Sequence, residues 1–339
     1  MNSKGIEHSD LDAIIIGCGM SGICAAYQLQ KAGYRNIVIL EKSQGRGGTW
    51  NDNVYPGSGC DVPSHLYSYS FKLNPDWSRV YSRQSEIKAY FEDCVEQFGL
   101  SNKIHFNTEV TSASFDEGSG QWNVLAQEGK SWSAPILVMG VGQLNLPKVP
   151  EIDGLNTFKG PSFHSARWKY DIDLKGKNIA VIGTGASAVQ FVPEIAKDAA
   201  RIDLFQRSPN WMIARGDKAY RPWAKWLFKH IPGLMRAYRS WIYWKLEARF
   251  AGFHKGAWIG HILKHTSMKH LKQEVQDVAL RQQLTPDFPV GCKRILISDD
   301  YYEALCKKHV NVISQRIEKI DENSITTDDG NHYEADVLV

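Results

Sequence analysis

The sequence predicts an α/β protein that contains two Rossmann-like dinucleotide-binding domains, with a helical insertion in the second. Two glycine-rich turns lead to this prediction, one at residues 17–22 (GCGMSG) and one at 183–188 (GTGASA). Each turn follows a short apolar run and precedes a helix-like pattern, which is the order of a dinucleotide-binding βαβ unit. A third signature, FKGPSFHSARW at 158–168, lies between the two turns.

The elements of the first domain follow in the expected order. An apolar strand (11–16) leads into the first turn, and a helix (21–31) and a second strand (36–40) complete the βαβ unit. A loop is expected at 45–59 and a helix with one apolar face at 85–98. Two hairpin-like strands (110–115 and 122–126) and a buried strand (136–139) follow.

The pattern restarts after a connector rich in proline and glycine (146–160). A strand (177–182), the second turn, a helix (187–197) and a strand (202–205) repeat the βαβ order, and helices without strand pattern are expected over 220–284. We therefore predict a first dinucleotide-binding domain at 1–150, a connector at 151–176 and a second domain at 177–339 with an insert at about 216–290. The chain ends in a strand-like run (332–339), so we expect the C-terminal part of a longer protein, including the segment that completes the first domain, to be absent.

Composition narrows the class of protein. The chain has 339 residues, of which 43% are hydrophobic and 23% charged, and this is the balance of a soluble globular protein. Its net charge is only +3, but residues 218–272 hold twelve Lys and Arg and one acid, Glu247, so this segment carries +11 and the rest −8. A general electrostatic affinity for nucleic acid is therefore not expected.

Cysteine usage and hydropathy indicate a cytoplasmic protein. Six cysteines without C-x-x-C spacing predict reduced thiols and no metal site. The polar N-terminus lacks the apolar core of a signal peptide, and no apolar run reaches the roughly 20 residues that span a bilayer.

The first turn has the features of an FAD site. Gly17 allows the tight turn, Gly19 lets the backbone approach a pyrophosphate, and Gly22 lets the helix pack on the strand. Glu41, at the end of the second strand, is placed to accept hydrogen bonds from ribose hydroxyls. The alternative is an ordinary glycine-rich βα turn.

The second turn has the features of an NADPH site. Its second strand ends in Gln206, Arg207 and Ser208 instead of an acid. A carboxylate would repel a 2′-phosphate, whereas Arg and Ser can bind it. A surface arginine without a ligand is the alternative for Arg207.

Dithiol redox chemistry is a competing explanation for a protein with two dinucleotides. Cys18 and Cys24 are the nearest pair, but the first glycine turn lies between them. We expect both to be small packing residues.

The segment between the turns carries a resemblance to a known family. Phe158, Gly160, His164 and Trp168 stand at F-x-G-x-x-x-H-x-x-x-W spacing, which resembles the fingerprint of type I Baeyer–Villiger monooxygenases, a class B flavoprotein monooxygenase family. Lys169 departs from the Pro or Asp of that pattern. Further family-like segments are GGTW at 47–50, YPG at 55–57, CDVPSHLY at 60–67, GCKR at 291–294 and SDDYY at 298–302.

The resemblance implies an enzyme that uses NADPH, FAD and O2 to insert one oxygen atom next to a ketone carbonyl, through a peroxide on the reduced flavin. Arg294 then corresponds to the arginine that stabilises the peroxide anion, and Asp61 to the carboxylate that pairs with it. Lys293 corresponds to a residue that joins Arg207 on the 2′-phosphate.

The remaining cofactor and fingerprint residues are also expectations from the motifs and the resemblance. FAD contacts are expected from Gly17, Gly19, Met20, Ser21, Gly22, Glu41, Lys42, Gly48, Thr49, Trp50, Cys60, Asp61, Tyr67 and Val110. NADP contacts are expected from Gly183, Thr184, Gly185, Ala186, Ser187, Ala188, Gln206, Arg207 and Lys293. His164 and Trp168 are expected to couple domain movement to cofactor state, the alternative being a core histidine packed on an aromatic ring.

Two other functions stay open at this point. An N- or S-oxygenating flavin monooxygenase would use the same cofactors, although Trp168 and Arg294 argue against it. A non-catalytic fragment would bind nucleotide without turnover.

The basic segment 218–272 also contains five tryptophans, Trp223, Trp226, Trp241, Trp244 and Trp258. Such helices can lie on an anionic membrane surface. The interpretation we favour from sequence is a helical insert whose aromatic rings pack inward and whose lysines face solvent.

Overall fold

The structure is a computed structural model that describes residues 10–248 and 258–339. The chain divides into two compact units: the first contains the residues up to Asp52 and Gln84–Pro147, and the second contains Asn53–Arg83 and Lys148–Val339. Residues 53–83, which the sequence assigned to the first domain, thus share most of their contacts with the second unit. The assignment of each unit to a cofactor stays a prediction.

The first unit is a parallel sheet joined to an antiparallel one. Its elements are β1 (Ala13–Ile16), α1 (Met20–Lys31), β2 (Ile37–Leu40), α2 (Thr49–Asp52), α3 (Gln84–Gln97), β3 (Ile104–His105), β4 (Val110–Asp116), β5 (Gln121–Ala126), β6 (Ser131–Ala134) and β7 (Ile136–Met139). The parallel sheet has the order β3–β2–β1–β7, and β4, β5 and β6 pair antiparallel in chain order. The predicted helices and strands are therefore present, with ends that differ by one or two residues. The strand expected to be buried, β7, is only half-buried, and Met139 at its end is 62% exposed.

Burial on both faces explains why β1 and β2 are apolar throughout. Ile14 of β1 and Leu40 of β2 pack against Val124 and Trp132 of the antiparallel strands. A strand that is covered on both sides has no position for a polar side chain, so its sequence does not alternate. The first glycine turn begins directly after this buried strand, at the carboxyl end of β1.

The second unit repeats the parallel arrangement. Its elements are β8 (Asn178–Ile182), α4 (Ala186–Ile195), β9 (Arg201–Phe205), β10 (Met212–Ile213), α5 (Pro222–His230), α6 (Leu234–Glu247), α7 (Trp258–Glu274), α8 (Val278–Gln283), β11 (Leu296–Ile297), α9 (Tyr301–Leu305), β12 (Val310–Ile313), β13 (Ile317–Ile320), β14 (Ser324–Thr327), β15 (His332–Glu334) and β16 (Val337–Leu338). The parallel sheet has the order β12–β9–β8–β16, and β13, β14 and β15 form an antiparallel sheet.

The last strand lies in the core of the second unit, as its sequence predicts. Val337 and Leu338 are buried and pair with Ile179 and Ala180 of β8. The fingerprint segment packs beside this strand, because a Cβ added to Gly160 would lie 2.4 Å from the carbonyl oxygen of Asp336. Glycine at this fingerprint position therefore has a packing reason.

The insert is helical, as predicted, but its aromatic rings do not all pack inward. Phe228 of α5 and Tyr238 of α6 pack on the buried His65, at ring-centroid distances of 4.5 and 5.4 Å. Four tryptophans face solvent instead, with exposed fractions of 55 to 69% for Trp223, Trp226, Trp241 and Trp244. The inward-packing interpretation is wrong for these four, because Phe228, Tyr238 and the buried Ile242 occupy the inward positions of α5 and α6. The side chain of Trp258 lies outside the described residues.

The described residues include no helix that is long and apolar enough to cross a membrane.

Candidate functional site

The first glycine turn is closely packed against its own unit. Gly17 has φ +98°, a left-handed conformation that favours glycine. A Cβ on Gly22 would lie only 1.9 Å from the carbonyl oxygen of Gly17, so α1 approaches β1 as closely as two backbones can. Helix α1 begins at Met20 after Gly19 without a side-chain cap. A helix N-terminus without a side-chain cap is the arrangement that binds pyrophosphate in dinucleotide folds, so the predicted phosphate contact is compatible with this turn.

Glu41 fixes the shape of this turn. It is buried at the end of β2, where its carboxylate accepts from the amide of Cys18 at 2.7 Å and from the amide of Ser43 at 2.8 Å. Each carboxylate oxygen can accept a second hydrogen bond. The predicted ribose contact is therefore compatible with the observed bonds, and it stays a prediction.

The other residues predicted to contact FAD divide between the two units. Met20, Ser21, Lys42, Gly48, Thr49, Trp50 and Val110 lie in the first unit, whereas Cys60, Asp61 and Tyr67 lie in the second. Gly48 approaches the turn, since its Cβ would lie 3.0 Å from the Cα of Gly19. Lys42 directly follows Glu41, and Val110 opens β4.

The cysteines near the first turn have the character of packing residues. Cys18 is fully buried, and burial together with the Glu41 carboxylate raises the pKa of its thiol to about 12. Burial also raises the pKa of the Cys24 thiol. Both cysteines are free thiols. Thiolates are the reactive form of cysteine, so these shifts oppose dithiol chemistry at this turn.

The second glycine turn faces a large cavity of about 760 Å³. Gly183 has φ +102°, and a Cβ on Gly183 or on Gly185 would meet no atom within 4 Å. Helix α4 begins at Ala186 without a side-chain cap, and Ser187 and the buried Ala188 lie in its first turn. The open space over uncapped amides is what a bound pyrophosphate requires.

Asn210, which the sequence did not single out, supports this turn. Its side-chain amide donates to the carbonyl oxygen of Thr184 at 2.7 Å. Asn210 also lines the cavity.

The cavity has a basic side where the sequence predicted the 2′-phosphate. Arg207 is exposed at its wall, and Lys293 donates to the hydroxyl of Ser208 at 2.6 Å. Folding therefore brings Lys293 to Ser208, the residue after Arg207, across a separation of 85 residues in sequence. Gln206 is buried and donates to the carbonyl oxygen of Gln283, which anchors the end of β9. Three acids, Glu151, Asp153 and Glu318, also line the cavity.

Asp61 is the centre of a charged cluster within the second unit. Its carboxylate accepts from Arg294 at 2.9 Å, from Gln190 at 3.1 Å and from Arg215 at 3.4 Å. Only 12% of its side-chain surface is exposed. The pair that the family resemblance implied, Asp61 with Arg294, is thus formed; the catalytic roles of both residues stay predictions.

The two arginines on Asp61 have different surroundings. Arg215 is 9% exposed, and it also donates to the carbonyl oxygen of Ile297 at 3.3 Å. Its Nε is buried and has no hydrogen-bond partner among the described residues. Arg294 is 62% exposed. Arg215 is therefore a fixed counter-charge for Asp61, whereas the guanidinium of Arg294 is open to a reactant.

Gln190 attaches Asp61 to the helix that follows the second turn. Its Oε1 accepts from the amide of Gly59 and the hydroxyl of Tyr55, both at 3.1 Å, and its Nε2 donates to the carbonyl of Gly59 at 3.0 Å. Gln190 and Arg215 lie 129 and 154 residues from Asp61 in sequence, and neither belongs to a motif. Sequence reasoning missed both because only folding brings them to Asp61.

The fingerprint aromatic residue is part of the core of the second unit. Trp168 is buried and packs on Phe163 and Phe191, with ring centroids 5.2 Å away in each case. His164 accepts at Nδ1 from the amide of Ala166 at 3.0 Å, and burial lowers the pKa of its imidazole. Phe158 is buried in the neighbouring cluster. A role in domain movement stays a prediction.

The fold contains two parallel sheets, each with a glycine turn between a strand and a helix, and comparison with known proteins identifies the family. The model of the flavin-binding monooxygenase-like family matches residues 12–339, so the chain belongs to this family. It is 41% identical over 325 residues to a Baeyer–Villiger monooxygenase of Pseudomonas aeruginosa, covering 96% of this chain and 62% of that protein. It is 40% identical to a Baeyer–Villiger monooxygenase of Streptomyces coelicolor, covering 98% of this chain and 64% of that protein.

Solved structures give the same result. A steroid monooxygenase bound to NADP superposes with a TM-score of 0.85 at 32% identity, covering 97% of this chain and 70% of that chain. A cyclohexanone monooxygenase from Rhodococcus sp. Phi1 bound to NADP+ superposes with a TM-score of 0.86 at 27% identity and the same coverage. The chain spans 62 to 64% of the length of the two Baeyer–Villiger relatives.

Proposed function

We propose that this chain acts in the NADPH- and FAD-dependent insertion of one oxygen atom of O2 next to a ketone carbonyl, which yields an ester or lactone. The observation that carries the proposal is the Asp61–Arg294 pair, with its buried second arginine, in the same unit as the second glycine turn. The Baeyer–Villiger names of the relatives support it.

We assign NADP to the second unit and FAD to the first. The cavity over Gly183 and Gly185, the uncapped start of α4, and the Arg207–Lys293 side fit a dinucleotide with a 2′-phosphate. The uncapped start of α1 and the adjacent Glu41 fit a dinucleotide without that phosphate. When bound, NADPH supplies the electrons and FAD activates the oxygen.

Arg294 is the residue we assign to charge stabilisation. A guanidinium stays protonated and offers several donors, so it can bind the negative charge that develops on the reacting oxygen atoms. Asp61 takes one of these donors and fixes the direction of the others. Gln190 and Arg215 in turn fix Asp61, so the exposed member of the cluster is the arginine that we assign to the reactant.

We also propose a cytoplasmic location, because all six cysteines are free thiols. The expected small-molecule partners are a ketone and O2.

The test is product analysis with labelled oxygen. The purified chain, loaded with FAD, is given NADPH, ¹⁸O2 and either a cyclic ketone or a thioether, and the products are identified by mass spectrometry. We expect labelled ester or lactone from the ketone, and we expect Arg294→Ala to abolish it while Arg35→Ala, at an exposed position before β2 that does not line the cavity, keeps it.

Two results would overturn the proposal in different ways. Labelled sulfoxide without any ester would indicate an N- or S-oxygenating enzyme. A colourless protein that takes up no flavin even after added FAD, yet binds NADP+, would indicate a non-catalytic nucleotide-binding protein.

A further inference from the structure

Helices α5 and α6 have two aromatic faces, and the fold uses only one of them. The inner face packs Phe228, Tyr238 and the buried Ile242 into the second unit, around His65. The outer face presents Trp223 and Trp226 on α5, and Trp241 and Trp244 on α6. Each pair is spaced three residues apart, so its two rings are neighbours on their helix. Trp241 also stacks on Tyr238, with ring centroids 5.7 Å apart, so it lies at the border between the inner and outer faces of α6.

The outer face is large for a solvent-exposed apolar surface. Aromatic side chains carry roughly 150–250 Å² each, so four tryptophans that are more than half exposed present on the order of 400 Å². The summed area of the four rings is within the range of the largest apolar patches on ordinary monomers, and such patches mark interaction sites. The turn between the helices adds Ile231, which is 44% exposed.

The surface is also strongly basic. Residues 218–247 contain seven Lys and Arg and one acid, Glu247, for a net charge of +6. Lys218, Arg221, Lys229, Arg236 and Lys245 are exposed, and none of them forms an ion pair with a carboxylate of the described residues. Lys245 lies 4.9 Å over the ring of Trp241, so positive charge and aromatic surface are interleaved.

A shallow groove of about 430 Å³ opens on the same helix face. It is lined by Trp226, Lys225, Lys229 and His230, together with Tyr220, Pro222 and one acid, Asp76. The rings of Trp226 and His230 stack at 4.6 Å. The groove therefore offers two ammonium groups beside an aromatic wall, which suits an anionic head group.

We propose that α5 and α6 form a docking surface for an anionic lipid membrane, a property that goes beyond the proposed catalytic function. Tryptophan is enriched where a protein meets the boundary of head groups and acyl chains, because its ring is apolar and its N–H is polar. Basic residues on the same face add attraction to acidic lipids.

The positive charge of this surface favours an anionic membrane over a second copy of the chain or a nucleic acid. A second copy of the same surface would repel it, because both copies carry the same positive charge. A nucleic acid fits less well, because the rest of the chain, outside residues 218–272, carries a net charge of −8 and would repel its phosphates. An anionic membrane is planar, so it engages the basic tryptophan face alone.

The test is binding of the purified full chain to vesicles, without any cofactor or turnover. Vesicles of phosphatidylcholine with about 30% phosphatidylserine provide the anionic surface, and vesicles of phosphatidylcholine alone provide the neutral one. We expect co-sedimentation with the anionic vesicles, and a large loss of binding when salt is raised. Brominated acyl chains should quench the tryptophan fluorescence of the bound protein.

Two sets of variants separate the aromatic and basic contributions. The variant Trp223→Ser/Trp226→Ser/Trp241→Ser/Trp244→Ser should lower the partition coefficient by about tenfold or more. The variant Arg221→Gln/Lys229→Gln/Arg236→Gln/Lys245→Gln should lower it by about fivefold per neutralised charge. The matched control is Phe115→Ser, which removes a ring that is 50% exposed on β4, outside the basic segment, and should leave binding unchanged.

Several outcomes would overturn the proposal. These are no binding to anionic vesicles at low salt, equal binding to neutral vesicles, or full binding by the tryptophan variant. A wild-type chain that dimerises through this face, with monomeric tryptophan variants and no vesicle binding, would assign the surface to a second copy. If the tryptophan variant does not fold, the charge variant and the quenching of wild-type protein still decide the question.

Discussion

The two glycine turns share a motif but lie in different surroundings. At the first turn, protein atoms crowd the backbone: a Cβ on Gly17 would lie 2.6 Å from the carbonyl oxygen of Gly140, and one on Gly22 would lie 1.9 Å from that of Gly17. At the second turn, Gly183 and Gly185 face open space, and Ala188 fills the position that matches Gly22. Glycine is therefore required by packing at the first turn, and by conformation and ligand approach at the second.

This difference also extends to the charges that follow each βαβ unit. Glu41 turns its carboxylate toward the amide of Cys18 in the first turn. The strand registers place Gln206 at the position that matches Glu41, and Arg207 at the position that matches Lys42. The second turn therefore lacks the carboxylate, and Arg207 lies on the wall of an open cavity. This difference in charge is one basis of the assignment of FAD and NADP that we propose.

The largest effect is expected where the first turn is most crowded. Gly22→Ala should destabilise the chain by more than about 4 kcal/mol, because the new methyl group overlaps a backbone carbonyl that cannot move. The reverse change at the matching position, Ala188→Gly, should cost only about 1 kcal/mol of helix stability. Thermal and urea unfolding measure both. Equal effects at the two positions would show that the turns are packed alike.

A change at Gly185 sharpens the same comparison on the ligand side. Gly185→Ala should leave the unfolding midpoint unchanged, because its methyl group meets no protein atom. It should nevertheless weaken NADP+ binding by about tenfold or more, since the methyl group occupies the path of the pyrophosphate. Calorimetric titration with NADP+ checks this. Unchanged affinity would place the pyrophosphate elsewhere.

The charged cluster at Asp61 allows a second comparison, between its two arginines. Arg215→Gln should destabilise the chain by about 3 kcal/mol, because it removes a buried partner of a buried charge. Arg294→Gln should cost less than about 1 kcal/mol, because that guanidinium is largely exposed. Urea unfolding gives the stabilities. A similar cost for both would mean that Arg294, too, is a structural counter-charge.

His65 makes the stability of the second unit sensitive to acid. Burial, with a contribution from Arg239, lowers the pKa of its imidazole to about 4. As pH falls, the unfolded chain therefore takes up this proton at a higher pH than the folded chain. The contribution of neutral His65 to the free energy of unfolding, present above about pH 6.5, is thus lost toward pH 4, by up to about 3 kcal/mol. His65→Phe should remove this slope. Urea unfolding at a series of pH values, with hydrogen exchange to locate the change, tests it; an unchanged slope in the variant would assign it to other groups.

The last prediction concerns the choice of nicotinamide cofactor. Arg207→Gln should weaken NADPH binding by about thirtyfold, the equivalent of about 2 kcal/mol for a charged hydrogen bond to the 2′-phosphate. NADH lacks that phosphate, so its affinity should stay the same and serves as the internal control. Competitive titration measures both. An equal loss for NADH would contradict the assignment of the basic wall.

Much of the architecture could be predicted because it depends on local sequence. Apolar runs such as the one ending at Ile16 predict buried parallel strands, and glycine turns predict the strand–helix junctions. The outward direction of the tryptophans could not be predicted, because helical spacing gives two aromatic faces and does not say which one is buried. That choice depends on His65, which reaches α5 and α6 from a distant part of the chain.

The sequence by itself determined the two nucleotide turns, the charge that distinguishes them, and the family motifs around Asp61 and Arg294. Only the tertiary structure decided that Gln190 and Arg215 hold Asp61, that Lys293 bonds to Ser208 next to Arg207, and that the basic helices turn tryptophan outward. The physical reason is separation in sequence. Turn conformation and strand burial are set by neighbours in sequence, whereas these contacts join residues 85 or more positions apart, which only the folded core brings together.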